Sequence, residues 1–296
     1  MRKISKPVIK KHKEACALLK KEGALTQDER IFVFENWHEG VDHDQSWAGA
    51  FFTPWDMAAT GFRIEARAAG RRVIDLCAGI GILSYASCVW ANFDTASEIV
   101  CVERNPHYVE VGKKVLPEAR WICADVFDLP KDLGHFDVAI SNPPFGRVPK
   151  NGTAPRYTGP EFEYHAMDIS ADLADYGVFI IPQESASFRY SGVPYFMDKS
   201  EGKHLKFQEQ TGIRIDPNCG IDTSMWSKEW RNTIQTPEIV VCDYQEMREH
   251  QRHETEEAHL FETELEDLAG VENEPALHIN STQGNPVQLS LFDWAA

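Results

Sequence analysis

Along the middle of the chain, short apolar runs recur and each closes on a polar or acidic residue. Val73-Ile74 leads to Asp75, 99–102 to Glu103, and 121–127 carries Asp125 near its end. Then 136–140 leads to Ser141-Asn142, 177–181 to Pro182, and a late run, 238–242, to Asp243. Runs of this length without alternation fit strands buried on both faces. Helical patterns lie between them, over 106–115 and 162–174, and strands alternating with helices predict an α/β fold around a largely parallel sheet. Two further helices are expected upstream. One covers 10–21, and the other starts at Thr53-Pro54, where Thr53 suits an N-cap, Pro54 the first helical position and Asp56 the first turn.

The composition supports a single α/β core with an appendage: 296 residues, 43% hydrophobic. No apolar run reaches the roughly 20 residues that span a bilayer. The basic start leads into no apolar signal region, so a cytoplasmic protein without membrane attachment is expected. The seven cysteines (Cys16, Cys77, Cys88, Cys101, Cys123, Cys219 and Cys242) form no C-x-x-C pair, which favours buried reduced thiols over disulfides or a metal site.

Net charge is −16, but unevenly distributed. Residues 1–30 hold nine Lys/Arg against four Asp/Glu, while 246–296 hold two against twelve. Any polyanion would therefore meet a local basic face rather than the overall field. For the basic N-terminal segment two readings stand side by side, a solvated helix packing Ala15, Leu18 and Leu19, and a phosphate-contacting arm.

The candidate chemistry sits at the strand ends. After Asp75, the stretch Leu76-Cys77-Ala78-Gly79-Ile80-Gly81 breaks the strand at two glycines, which permit a tight turn and a close ligand. Glu103 occupies the place where nucleotide-binding α/β sheets hold ribose hydroxyls. Asp125 could accept from an adenine amino group, and the Val126 N–H could face the ring. Asn142-Pro143-Pro144-Phe145 follows the fourth strand, and its two prolines fix the backbone so that the Asn142 amide and the Phe145 ring are presented rigidly.

Asn142-Pro143-Pro144-Phe145 resembles the catalytic motif of S-adenosylmethionine-dependent methyltransferases that modify amino groups, mostly adenine N6. Asp75-x-x-x-Gly79-x-Gly81 resembles their cofactor loop, and Thr53-Pro54 the segment that touches the methionine end of the cofactor. The resemblance covers about residues 50–245. It implies a Rossmann-like class I methyltransferase sheet of seven strands with helices on both faces. It also implies S-adenosylmethionine as cofactor, held by Thr53, Pro54, Asp75, Cys77, Gly79, Gly81, Glu103, Asp125, Val126 and Asn142, with no metal. Asp75 would hold the methionine amino group. Asn142 and the Pro143 carbonyl would accept the two N–H groups of the amine, drawing it toward tetrahedral geometry for in-line transfer, while Pro144 stiffens the turn and Phe145 stacks the flipped base. The expected activity is adenine-specific DNA methylation. The chain departs from the family in its acidic core and in having no large recognition region. RNA adenine methylation, protein glutamine methylation and a non-catalytic accessory role stay open.

The expected organisation is a basic helical segment (1–49), a methyltransferase domain (50–245) with an insert at about 183–236, and an acidic tail (246–296). Gly146–Pro160 reads either as a mobile loop over the substrate or as an ordinary solvated loop. The insert, with Phe188, Tyr190, Tyr195, Phe196, Trp226, Trp230 and Arg231, reads either as a set of substrate contacts or as a cap with its own small core. In the tail an acidic helix carrying Phe261, Leu265 and Leu268 precedes a disordered-type linker. Gln288-Leu289-Ser290-Leu291-Phe292 then resembles the pentapeptide that binds the bacterial sliding clamp, which would make the clamp a partner beside DNA.

Overall fold

A computed structural model describes residues 4–38, 41, 51–90, 95–231, 233–253, 255 and 256. The chain divides into two compact units, residues 1–250 and 251–296. Within the second unit the described residues form a helical turn in which Thr255 Oγ1 donates to the Gln251 carbonyl at 2.8 Å. The proposed tail helix beyond residue 256 and the pentapeptide 288–292 lie outside the described residues.

In the first unit, α1 (Lys6–Leu19) and α2 (Gln27–Asn36) precede the sheet, and α2 opens with a reciprocal capping box between Thr26 and Glu29. A helical stretch then begins at Trp55, winds in π form over Met57–Phe62 and ends in α3 (Arg63–Ala66). The sheet strands and helices follow in alternation: β1 (Arg72–Asp75), α4 (Ile82–Cys88), β2 (Glu98–Glu103), α5 (Pro106–Val115), β3 (Arg120–Cys123), β4 (Phe136–Ser141), α6 (Phe162–Ala171) and β5 (Ala174–Ile181). The remainder holds a hairpin of β6 (Phe188–Arg189) and β7 (Met197–Asp198), then α7 (Lys203–Thr211), β8 (Asp216–Pro217) and β9 (Glu238–Asp243).

The main sheet has seven strands in the order β3-β2-β1-β4-β5-β9-β8. The first five run parallel; β9 is antiparallel to β5, and β8 antiparallel to β9. This is the mixed, mostly parallel sheet expected from the sequence. Alternate residues enter opposite layers. Val73, Val138, Val178 and Ile239 join one core that also holds the N-terminal helices, while Ile74, Ala139 and Phe179 face the layers opposite. Strand order reverses between β1 and β4, and in open α/β sheets ligands bind at the carboxyl ends beside such a reversal.

Several boundaries differ from expectation for local reasons. Helix α1 starts four residues early because Pro7 fits its first turn. Strand β3 stops at Cys123, and Asp125 lies in the turn beyond it. Thr53 does not cap the following helix. The Pro54 carbonyl accepts the first i+4 bond, from Ala58 N–H at 3.1 Å, and the Thr53 hydroxyl is used elsewhere. The insert is not a separate cap, because β8 within it forms the edge of the main sheet. Its Trp226 and Trp230 join the large core, and Phe188 joins a second core with Tyr164 and Phe207. The 146–160 loop is tied to α6 at several points. Gly146 N–H donates to Glu163 Oε2 at 2.7 Å, Ala154 N–H to His165 Nδ1 at 3.1 Å, and Arg156 Nε to the fully buried Asp168 at 2.6 Å. None of the seven cysteines, all among the described residues, forms a disulfide. Among the described residues no helix is long and apolar enough to cross a membrane.

Candidate active site

The ends of β1, β2 and β4 and the turn after β3 surround a cavity of about 190 Å³. Of the residues singled out in the sequence, Thr53, Asp75, Cys77, Gly79, Glu103, Asp125, Val126, Asn142 and Pro144 line it. Pro54, Gly81, Pro143 and Phe145 are not among the lining residues. Gly81 instead turns the chain into α4 with φ 92°, and an added Cβ there would meet the Trp121 ring at 3.1 Å. Gly79 has φ 56°, and its Cβ would come within 2.8 Å of the Phe52 ring on the cavity wall, so no larger residue fits.

Asp75 is 1% exposed. Ser84 Oγ donates to its Oδ2 at 2.8 Å, while Oδ1 is buried with no hydrogen-bond partner. Burial pushes its carboxyl up to about 7, against hydrogen bonds from Ser84 and the Cys77 backbone. An orphaned carboxylate oxygen on a cavity wall suits an incoming cation, since an ammonium supplies both charge and donors. Glu103 accepts from Gly79 N–H at 2.9 Å and Asn105 N–H at 2.7 Å. Burial raises it to about 7 as well, the backbone hydrogen bonds pulling the other way. Its bond to Gly79 ties the glycine loop to β2. Burial, helped by Glu103, pushes the Cys77 thiol up, which keeps it protonated and unreactive. Asp125 accepts from Arg104 Nη1 at 3.3 Å, Asn151 Nδ2 at 3.2 Å and the Phe127 N–H at 3.2 Å.

Asn142 is held from a distant part of the chain. Its Nδ2 donates to the Phe51 carbonyl at 2.8 Å and to Thr53 Oγ1 at 2.9 Å. A backbone carbonyl can only accept, so it fixes which end of the amide faces Phe51. The Oδ1 accepts no hydrogen bond among the described residues, and Asn142 lines the cavity. Beside it the Phe145 ring lies between Phe51 and Trp230, at centroid distances of 6.2 and 6.3 Å and tilted 53° to each. The Trp230 indole N–H is buried without a partner.

Sequence reasoning missed much of the cavity wall. Phe51, Phe52, Tyr108, Val148, Pro149 and Phe162 line it. Phe51 and Phe52 directly precede Thr53, but nothing in the local sequence shows that the Phe51 carbonyl holds Asn142. Arg231 was read as a substrate contact or cap residue. It donates to the carbonyls of Phe34 and Trp37 and lies over the Phe52 ring at 5.8 Å, bracing the wall from behind.

Residues 62–154 match the model of the methyltransferase small domain. Among curated proteins no sequence matches at a significant level. Among solved structures, the methyltransferase subunit of a type I restriction-modification system from Streptococcus thermophilus is similar with TM-score 0.50 and 15% identity, over 73% of this chain and 49% of that one. The chain thus spans about half of that subunit. A candidate class I S-adenosylmethionine-dependent methyltransferase from Listeria monocytogenes gives TM-score 0.50 and 12% identity, over 76% and 69%. A candidate RNA methyltransferase from Pyrococcus horikoshii gives 0.45 and 20%, over 78% and 97%. Identities this low speak to architecture, and the architecture is the Rossmann-like fold of the class I methyltransferases.

Proposed function

We propose that the protein methylates the exocyclic N6 amine of adenine in DNA, with S-adenosylmethionine as its cofactor. The observation that carries the reading is the orientation of Asn142: both amide hydrogens are taken by Phe51 and Thr53, which leaves Oδ1 as an unengaged acceptor on a residue that lines the cavity. An aromatic amine is a poor nucleophile because its lone pair is delocalised into the ring. An acceptor fixed beforehand at its N–H stabilises positive charge as it develops on nitrogen, without reorganising during the reaction.

S-adenosylmethionine, when bound, supplies a methyl group on a positively charged sulfur. The residues present fit it. Asp75, with its orphaned Oδ1, would take the methionine ammonium, and Gly79 leaves room that a side chain would fill. Glu103 would accept from ribose hydroxyls, and Asp125 with Val126 would meet the adenine edge. The Pro143 carbonyl is assigned the second N–H of the target amine by resemblance to the motif. Phe145, flanked by Phe51 and Trp230, would present a face to the target base. Gln288, Leu289, Ser290, Leu291 and Phe292 are assigned to a sliding clamp on their sequence alone, a contact that would keep the enzyme close to DNA.

The test uses methyl-labelled S-adenosylmethionine with duplex DNA, single-stranded DNA and total RNA, beside Asn142→Ala. Label on adenine N6 in DNA, lost in the variant, is the expected result. Label in RNA alone keeps the chemistry and overturns the substrate. Cofactor binding with no label in nucleic acid or protein overturns the enzymatic reading and leaves a clamp-binding accessory protein.

A further inference from the structure

Four of the five lysines between residues 6 and 20 lie along one side of helix α1, and the fifth, Lys11, is exposed elsewhere on it. At 100° per residue, Lys20, Lys13, Lys6 and Lys10 fall within an arc of about 80°, on the side away from the buried Ala15. All four are exposed. Lys10 has one acidic neighbour, Glu14 at 3.9 Å, and both side chains are more than half exposed. Lys6, Lys13 and Lys20 form no ion pair with a described residue. Residues 1–30 carry +5, so the remaining 266 residues carry −16 − 5 = −21. A concentrated row of like charge repels itself and brings no packing energy. In a chain otherwise this acidic, it calls for a polyanionic partner.

The opposite side of α1 leads toward the active site. His12 is buried, accepts from the His38 N–H at 2.9 Å and meets the Trp37 ring at 6.0 Å. Trp37 in turn contacts Phe52, on the cavity wall, at 5.9 Å, and Tyr108, also on the wall, at 5.7 Å. The lysine row is therefore the outer surface of the layer that backs one wall of the cavity. From Lys6 to Lys20 the helix rises about 21 Å at 1.5 Å per residue. Along the duplex axis that length matches roughly six base-pair steps at about 3.4 Å each.

We propose that α1 is a docking surface for the backbone of duplex DNA, with Lys6, Lys10, Lys13 and Lys20 contacting successive phosphates while the target base is presented at Asn142. The base-presenting half of this statement rests on the methyltransferase reading; the docking half does not. A membrane surface suits the helix less well. Amphipathic helices bind bilayers through an apolar face, and here Ala15, Leu18 and Leu19 are packed into the core.

The test is fluorescence anisotropy with the full chain and a labelled 20-base-pair duplex of arbitrary sequence across a salt series, beside Lys6→Gln/Lys13→Gln/Lys20→Gln. Wild-type affinity should fall steeply with salt. In the variant the slope of log K against log salt should shrink by up to about 2.7, at roughly 0.9 per lost contact, and affinity at low salt should drop at least about tenfold. Cofactor affinity and melting temperature should not change. Equal duplex binding by the two proteins overturns the proposal. So does lysine-dependent binding confined to an RNA hairpin or to vesicles of phosphatidylcholine and phosphatidylserine. No methyl transfer enters this readout. Lysine-dependent DNA binding without label on adenine would sink the activity and keep the docking surface; label with unaltered binding would do the reverse.

Discussion

Two buried carboxylates, on strands three places apart in the sheet, show how differently the same group can be used. Asp75, at the end of β1, is held by Ser84 and the Cys77 backbone, keeps one buried oxygen, Oδ1, without a partner, and has a carboxyl raised to about 7 by burial. Glu238, at the start of β9, is fully buried too, but it accepts from the backbone N–H groups of Tyr190 and Ser191, both at 2.9 Å, from Gln183 Nε2 at 2.9 Å and from Ser191 Oγ at 2.8 Å. The first group lacks what a ligand would bring. The second already has it and uses it to fold 183–191 against the sheet. Burial of an acid is therefore no sign of a site by itself, whereas burial with an unmet hydrogen-bonding need is.

The largest effect that would sharpen this contrast concerns Asn142. Asn142→Ala should lower the single-turnover transfer rate at saturating cofactor by roughly a hundredfold or more, about 3 kcal/mol or above. Next come the two acids. Glu238→Gln puts an amide where several donors converge and should cost about 2–4 kcal/mol in a urea titration. Asp75→Asn should leave stability at pH 8 intact or improved and weaken cofactor binding by calorimetry about tenfold or more, as loss of a hydrogen bond to a charged group implies. Equal destabilisation by both substitutions would erase the distinction.

pH offers a further test at the two acids on the cavity wall, Asp75 and Glu103. Folded-state values near 7 for Asp75 and Glu103 lie above the ordinary carboxyl values near 4. The folded state thus holds these protons more tightly than the unfolded one. Their contribution to ligand-free stability is complete below about pH 4 and is lost as pH rises to about 7. Cofactor binding should run the other way, strengthening as pH rises through about 7 and Asp75 ionises, with that trend flattened in Asp75→Asn. The smallest expected effect is Thr53→Val. It removes one of two acceptors from the Asn142 amide, should cost about 1 kcal/mol, and should slow single-turnover transfer several-fold.

The strand cores and their terminal polar residues were legible because a strand buried on both faces leaves an unmistakable apolar run, and because ligand chemistry in such sheets gathers at strand ends. Asp75, Glu103 and Asn142 could be placed on that basis alone. The grip on Asn142 could not, since it joins residues 91 and 89 positions apart and uses a main-chain carbonyl that has no signature in sequence. Thr53 shows the same limit. Its position suited an N-cap, but the neighbouring helix winds in π form over Met57–Phe62, where Trp226 presses against Gly61, and the hydroxyl went to the site instead. Asp125 was read as ending a strand, yet β3 stops two residues earlier, a boundary that apolar patterning does not resolve.

The Arg231 guanidinium, joined to the carbonyls of Phe34 and Trp37, bears on how the protein is made. On the ribosome the N-terminal helices and the glycine loop emerge long before residue 231. Until Arg231 arrives, those carbonyls and the Phe52 ring lack their brace, so this wall of the cavity is completed late in synthesis. A nascent chain stalled before residue 231 should therefore hold most of the strand-end residues of the cavity and still be a poor receptor for the cofactor.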